Sequence, residues 1–202
     1  MGRVSDAKER LLDVAFQLIW NESYGAVSVD HICSQAGVKK GSFYHFFASK
    51  SDLAVAAYEY HWQCKRPLYD EIFSAQHSPL SRLQNWCDTI YRLQKEKFDQ
   101  SGRVLGCPYA SVGCELSTQD EQIRKKSDEI FERGCLYVET TIADAIREGL
   151  IQVTDAQEAA QVIHSCVLGM MMHAKVKNDP EVLKPLAPTL MKLLGARQSI
   201  PA

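Results

Sequence analysis

With 202 residues, 46% of them hydrophobic and 24% charged, and a formal net charge of −2, the chain has the make-up of an ordinary globular protein, which excludes intrinsic disorder. The N-terminus lacks the apolar segment of a secretory signal and no stretch reaches about 18 apolar residues, so a cytoplasmic protein without a membrane partner is expected. The seven cysteines (Cys33, Cys64, Cys87, Cys107, Cys114, Cys135 and Cys166) are odd in number, scattered and never arranged as Cys-x-x-Cys, so reduced thiols, mostly small core residues, are expected.

Apolar periodicity is helical throughout, and the predicted fold is all-α. Leu11, Leu12, Ala15, Phe16 and Ile19 form a stripe at three-to-four spacing in a first helix that Ser5 or Asp6 would cap and Tyr24-Gly25 would end. Ser28 opens a short helix from Val29 to Ala36, which Gly37 breaks, and a third follows from Lys40 to Phe47. A fourth starts near residues 49–51 and runs to Arg66-Pro67, where proline should stop it, with a short helix then reaching Ala75. Further helices are expected from Leu80 to Gln100, from Pro108 onward, from Asp120 to Glu148, from an Asp155 cap to Lys177, and from Glu181 to Leu194.

The informative stretch is 25–53. Two short helices meet at Gly37, where glycine accepts unusual backbone angles at little cost. Ile32, Ala36, Val38, Phe43 and Phe47 would pack inside the bend, leaving Lys40, Ser42, Tyr44 and His45 outward on a helix that fits a DNA major groove about 12 Å wide. Ser28 places a hydroxyl beside unpaired helix-start amides, a setting suited to phosphate, and Lys50 offers a charge at the start of the fourth helix. Residues 1–52 carry six basic and six acidic side chains, yet 39–50 holds three lysines and no carboxylate. The positive charge is local.

Ala36, Gly37, Val38, Gly41, Tyr44, Phe47, Lys50 and Leu53 fall in register on a motif that resembles the DNA-binding segment of the TetR family of bacterial regulators. Lys39 stands where that family usually has serine, and Phe46 where it commonly has a phosphate-contacting histidine, with His45 one position earlier. The resemblance covers about residues 6–60. It implies a helix-turn-helix domain at 1–53, a larger helical effector-binding and dimerisation domain at 54–202, and DNA contacts from Ser28, Lys39, Lys40, Gly41, Ser42, Tyr44, His45 and Lys50. It further implies a homodimer joined through its last two long helices, reading a palindromic operator with half-sites about 34–36 Å apart and repressing until a small molecule binds.

Val162, Ile163, Cys166, Val167 and Gly169 to Met172 make the penultimate helix apolar over much of its circumference, and Leu183, Leu186, Leu190 and Leu193 form a second stripe. Together they suit a four-helix dimer interface, with Val167, Gly169, Met170, Leu186 and Leu190 as its candidate residues. Trp86, Tyr91, Phe98, Tyr109, Phe131 and Tyr137 are candidates for an apolar effector pocket or for core. Gly106-Cys107-Pro108, followed by Glu115-Leu116-Ser117, resembles a Gly-Cys element in a branch of such regulators, some of which sense electrophiles or oxidants through cysteine. Pro108 suits a first helical turn, which would put Cys107 at a helix start where the dipole favours thiolate. Cys114 is a candidate resolving thiol and Lys175 a candidate cationic neighbour.

An enzyme is not expected, because no Gly-x-Ser-x-Gly elbow, phosphate-binding glycine loop, His-Glu-x-x-His or paired zinc-ligand motif is present. No cofactor is expected, and the isolated pair His61 and Cys64 makes no metal site. The alternative is a helical protein-interaction module without DNA binding, which has no need of an acid-free basic strip beside an outward Tyr44.

Overall fold

Stretches with three-to-four apolar spacing become helix almost everywhere in the computed structural model, which describes residues 2–196, with side chains from residue 6 onward. All regular structure among the described residues is helical: α1 (Gly2–Asn21), α2 (Val29–Ala36), α3 (Lys40–Phe46), α4 (Lys50–Ile72), α5 (Pro79–Ser101), α6 (Pro108–Leu116), α7 (Glu121–Arg147), α8 (Ala156–Lys177), a 3-10 turn (Pro180–Leu183) and α9 (Leu186–Leu193). Two compact units result, one of Met1–Pro67 with Pro108–Phe131, the other of Leu68–Cys107 with Glu132–Ala202. The boundary expected at 53/54 falls within α4.

In the first unit the α1 stripe is the keel. Leu11, Ala15, Phe16 and Ile19 are essentially solvent-free, as are Ile32 of α2, Phe43 of α3 and Leu53 and Ala57 of α4. Each large apolar side chain so buried stabilises by about 1.5–3 kcal/mol. The α1 helix begins at Gly2, so Asp6 is no cap but pairs with Arg10 one turn on; the side chains of Arg3 and Ser5 lie outside the described set. Arg10 in turn donates to the Ala36 carbonyl at 3.1 Å, satisfying an acceptor at the end of α2. The fourth helix does not stop at Pro67 but continues to Ile72, absorbing the expected short helix. One missing N–H is outweighed there by Leu68, Tyr69 and Ile72, which anchor the continuing turns in the second unit's core.

That second core is centred on Leu83, Val138, Ile142, Ala160, Leu186 and Leu190, all with no exposed surface. Tyr69, Phe73, Trp86 and Tyr137 pack ring against ring beside it, with centroids 5.4–6.1 Å apart. Asp155 caps α8 by accepting from the Glu158 amide at 2.9 Å, as its sequence position predicts. The expected single helix from Glu181 to Leu194 is split, because Pro185 cannot donate to the ladder and marks the break between the 3-10 turn and α9. No helix among the described residues is long and apolar enough to cross a membrane.

Candidate nucleic-acid interface

The bend between α2 and α3 is made by Gly37, which sits in the left-handed region at φ +62° and ψ +34°. Its amide and that of Val38 close back on the Ser34 and Cys33 carbonyls at 3.3 and 3.0 Å, so the helix end and the turn are one hydrogen-bonded unit. From that turn α3 leaves with Phe43 fully buried and Tyr44 on the outside, 55% exposed and edge-on to the Phe43 ring. Lys39, Lys40, Gly41, Ser42 and His45 are exposed along the same short helix, and Ser28 is exposed at the start of α2. Seven of the eight residues expected to face DNA are therefore open to solvent around one bend.

Ser28 behaves as its sequence position predicts: its hydroxyl accepts from the His31 amide at 3.1 Å, capping α2. Lys39 occupies the corresponding position before α3, but its side chain makes no capping bond. Lys40 pairs with Asp30 of α2 at 2.8 Å, and that carboxylate raises the lysine above its usual range. Lys50 differs in kind. Its ammonium is turned inward, donating to the carbonyls of Tyr24 and Val27 at 2.8 and 2.9 Å and lying 3.9 Å from the centre of the Tyr24 ring. Burial lowers its pKa, with the carboxylate of Glu115 opposing. Two of its three N–H groups thus serve the loop between α1 and α2. Sequence reasoning did not single out Lys8, which is exposed on α1 with its ammonium 5.9 Å from the centre of Phe47, at the end of α3. Nor did it pair Asp30 with Lys40, ten residues apart on different helices.

Of the pair His61 and Cys64, the first is packed and the second exposed. His61 stacks on Phe16 at 3.6 Å between ring centres, and its Nδ1 lies 2.7 Å from the Tyr109 hydroxyl. No group of three His, Cys, Asp or Glu side chains suited to a metal occurs among the described residues.

In the second unit, Gly106 takes φ +69° and is gripped by Gln94, which accepts from its amide at 2.8 Å and donates to its carbonyl at 3.2 Å. A Cβ at that position would lie 3.2 Å from Cδ of Lys175 and 3.4 Å from the Met171 carbonyl, so only glycine lets this segment lie flat on α8. Lys175 is thereby brought against the residue preceding Cys107. Cys107 itself is half-buried. Burial pushes the Tyr69 hydroxyl up to about 12, and Cys107 adds electrostatically to the shift. Cys114 is exposed on α6, which belongs to the first unit. The cysteines are less buried than expected: among them only Cys33 and Cys87 are core. The aromatic candidates divide as well, Tyr109 and Phe131 in the first unit and Trp86, Tyr91, Phe98 and Tyr137 in the second.

Most of the expected interface residues are covered within their own unit. Val167, Leu186 and Leu190 are 2%, 0% and 0% exposed inside their own unit, in one core cluster with residues of α5 and α7. Met170 is half-buried on the same core, and only Gly169 of the five is exposed. The outward large apolar side chains of this unit are Val162, Met172 and Val176 on α8, Leu193 on α9 and Leu136 on α7. Val162, Gly169 and Val176 follow at seven-residue spacing, which keeps them on one face.

The chain matches two family models, "Bacterial regulatory proteins, tetR family" over residues 11–57 and "Tetracyclin repressor-like, C-terminal domain" over 79–190. It is 31% identical over 184 residues to an HTH-type transcriptional regulator in the lacX 3′ region of Lactococcus lactis subsp. lactis, covering 89% of this chain and 88% of that one. It is 26% identical over 187 residues to the HTH-type transcriptional repressor NemR of Escherichia coli strain K12, covering 89% of each. A crystal structure of the reduced form of E. coli NemR superposes with a TM-score of 0.83 at 22% identity, over 96% of this chain and 99% of that one. A regulatory protein TetR from Rhodobacter sphaeroides gives a TM-score of 0.81 at 24% identity, over 93% and 98%. With both halves of the molecule matched, the chain belongs to the TetR family of DNA-binding transcriptional regulators.

Proposed function

We propose that this regulator represses from a palindromic operator, which a homodimer grips through Ser28, Lys39, Lys40, Gly41, Ser42, Tyr44 and His45 of each protomer, with Lys50 acting from behind as a support of the α1–α2 loop. The observation that carries the reading is the exposed row on α3 projecting from a buried Phe43, so that the helix is anchored by one face and offers hydroxyl, phenol, imidazole and ammonium groups on the other. Functionally, residues 1–53 read DNA and 54–202 receive the signal and dimerise. The exposed Val162, Gly169, Met172, Val176 and Leu193 supply an apolar face for a second copy. Binding to DNA selected from a random library by the chain itself tests the assignment. Affinity should fall steeply with salt, and Lys40→Ala should reduce the log–log slope by about one. A chain that enriches no sequence is not an operator reader.

Release is proposed to follow occupation of the second unit by a small molecule or modification of Cys107. The half-buried Cys107 follows a glycine held against Lys175, and the similar E. coli NemR structure is of the reduced form. With N-ethylmaleimide as the probe, the Cys107 thiolate adds to the alkene carbon, and the neighbouring carbon takes a proton from water. The adduct favours a dimer state that no longer fits the operator. Cys107→Ser should leave operator binding intact and abolish release by the reagent; release that persists in the serine variant removes Cys107 from the mechanism.

A further inference from the structure

The loop between α1 and α2 is held by two side chains of opposite charge. From α6, Glu115 accepts from the Tyr24 amide through Oε2 at 3.2 Å and from the Gly25 amide through Oε1 at 2.9 Å, across ninety residues of sequence. From α4, Lys50 donates to the carbonyls of the same loop at Tyr24 and Val27. The carboxylate therefore takes the loop's N–H groups and the ammonium its C=O groups. Gly25 leaves room for this, since a Cβ there would lie 3.3 Å from Oε1 of Glu115. A few residues on, Asp120 accepts from the Ser51 hydroxyl at 2.6 Å, so the segment joining α6 to α7 also fastens the start of α4.

We infer that Glu115 is a positioning residue for operator binding, through which α6 fixes the loop that leads into α2 and α3. Three residues beyond Gly25 stands Ser28, the cap of α2, and Val27 is buried beside it, so displacing the loop displaces the start of α2. Because α2 and α3 are joined through a hydrogen-bonded turn at Gly37, the recognition helix moves with it. The clamp is short-ranged: a shift of about 1 Å takes both carboxylate bonds beyond hydrogen-bond length. In the chain α6 follows directly on Cys107, so the residue that holds the reading helices sits on the helix immediately after the candidate sensor. The inference rests on the reading of this chain as an operator binder.

Glu115→Gln tests it with little change of shape, because an amide can accept only one of the two backbone N–H groups and turns a donor towards the other. Affinity for DNA selected by the wild-type chain should fall about tenfold, the scale of one charge-assisted hydrogen bond. Affinity for random-sequence DNA, which depends on phosphate neutralisation, should stay within about twofold at the same salt concentration. A purely structural role would lower both together with the thermal midpoint. Gly25→Ala, whose methyl group presses on Oε1 from the other side without strained backbone angles, should narrow the gap between selected and random DNA in the same way. Unchanged discrimination in both variants overturns the inference, as does loss of both affinities together. Were the wild-type chain itself to prefer no sequence, the operator reading would fail along with it, so the two failures are told apart by the wild-type arm.

Discussion

Arg82 and Asp144 form an enclosed ion pair of the second unit, with side chains 6% and 16% exposed and 2.6 Å apart. Arg82 also donates to the His77 carbonyl at 2.9 Å, and the second oxygen of Asp144 is taken by the exposed Arg147 at 2.6 Å. Removing one partner of a buried pair costs about 3–5 kcal/mol, chiefly because the other charge is left uncompensated. In Arg82→Met the stem still fills its place and Arg147 still serves Asp144, so the loss should be about 2–3 kcal/mol. Asp144→Asn leaves the deeper charge, Arg82, facing only amide and carbonyl oxygens, and should cost about 3 kcal/mol or more. For a chain of this size these values correspond to a fall in Tm of roughly 5–10 °C. Urea unfolding followed by far-UV circular dichroism, at one fixed protein concentration because the proposed dimerisation would contribute to stability, measures both.

The pH dependence gives an independent handle. The bond from Arg82, reinforced by Arg147, holds the Asp144 carboxyl below its ordinary value. A carboxyl depressed in the folded state contributes its full stability above its unfolded pKa of about 3.9 and loses it as pH falls through the folded value. The gap between wild type and Asp144→Asn should therefore be constant from neutrality to about pH 5 and shrink below about pH 4. Losses under about 0.5 kcal/mol in both variants, or a gap that widens in acid, would refute the assignment of this pair as a buried support.

Gly37→Ala should destabilise by about 1–2 kcal/mol, from backbone strain alone, because no atom lies within 4 Å of the added Cβ; Gly37→Asn, which tolerates the left-handed region, should cost distinctly less in the same unfolding assay. Lys39→Ser should act in opposite directions on two readouts. It supplies the hydroxyl cap that α3 lacks, raising stability by about 0.5–1 kcal/mol, while lowering the salt slope of DNA binding by about one if Lys39 meets a phosphate. Val176→Glu, at a residue 79% exposed, should leave the protomer folded and shift a dimer to monomer in sedimentation equilibrium at micromolar concentration; an unchanged assembly would place the dimer contact elsewhere.

The first unit was largely legible because its signals are local. The α1 stripe, the Ser28 cap and the Gly37 turn are each decided within a few residues, and all stand where periodicity and turn chemistry put them. Pro67 misled because a proline's local cost of a few kcal/mol is set against apolar burial on the far side, which sequence does not price. Leu186 and Leu190 misled for a related reason: helical periodicity marks a side chain as buried without saying whether its own core or a second copy buries it. Lys50 was read by charge, yet its ammonium answers to two carbonyls more than twenty residues away. Glu115 was visible only as part of the Gly-Cys resemblance, since nothing local links it to a loop ninety positions earlier.

These placements bear on how a chain of net charge −2 holds a polyanion. The basic strip is not an unopposed positive surface: Lys40 already has Asp30, and Lys50 already has the loop carbonyls. On the proposed operator reading, a phosphate at Lys40 would replace Asp30 rather than meet an unpaired charge, which lessens the electrostatic gain on any DNA, whatever its sequence. With the sequence-independent part of binding reduced in this way, discrimination on the proposed reading would fall to groups that act only when α3 lies correctly in the groove, namely Ser42, Tyr44 and His45. Such groups are sensitive to small displacements where a phosphate contact is not. A regulator built on this balance can be switched by moving its reading helices slightly, without changing its charge, and the clamp of Glu115 and Lys50 on the loop before α2 is where such a displacement would act.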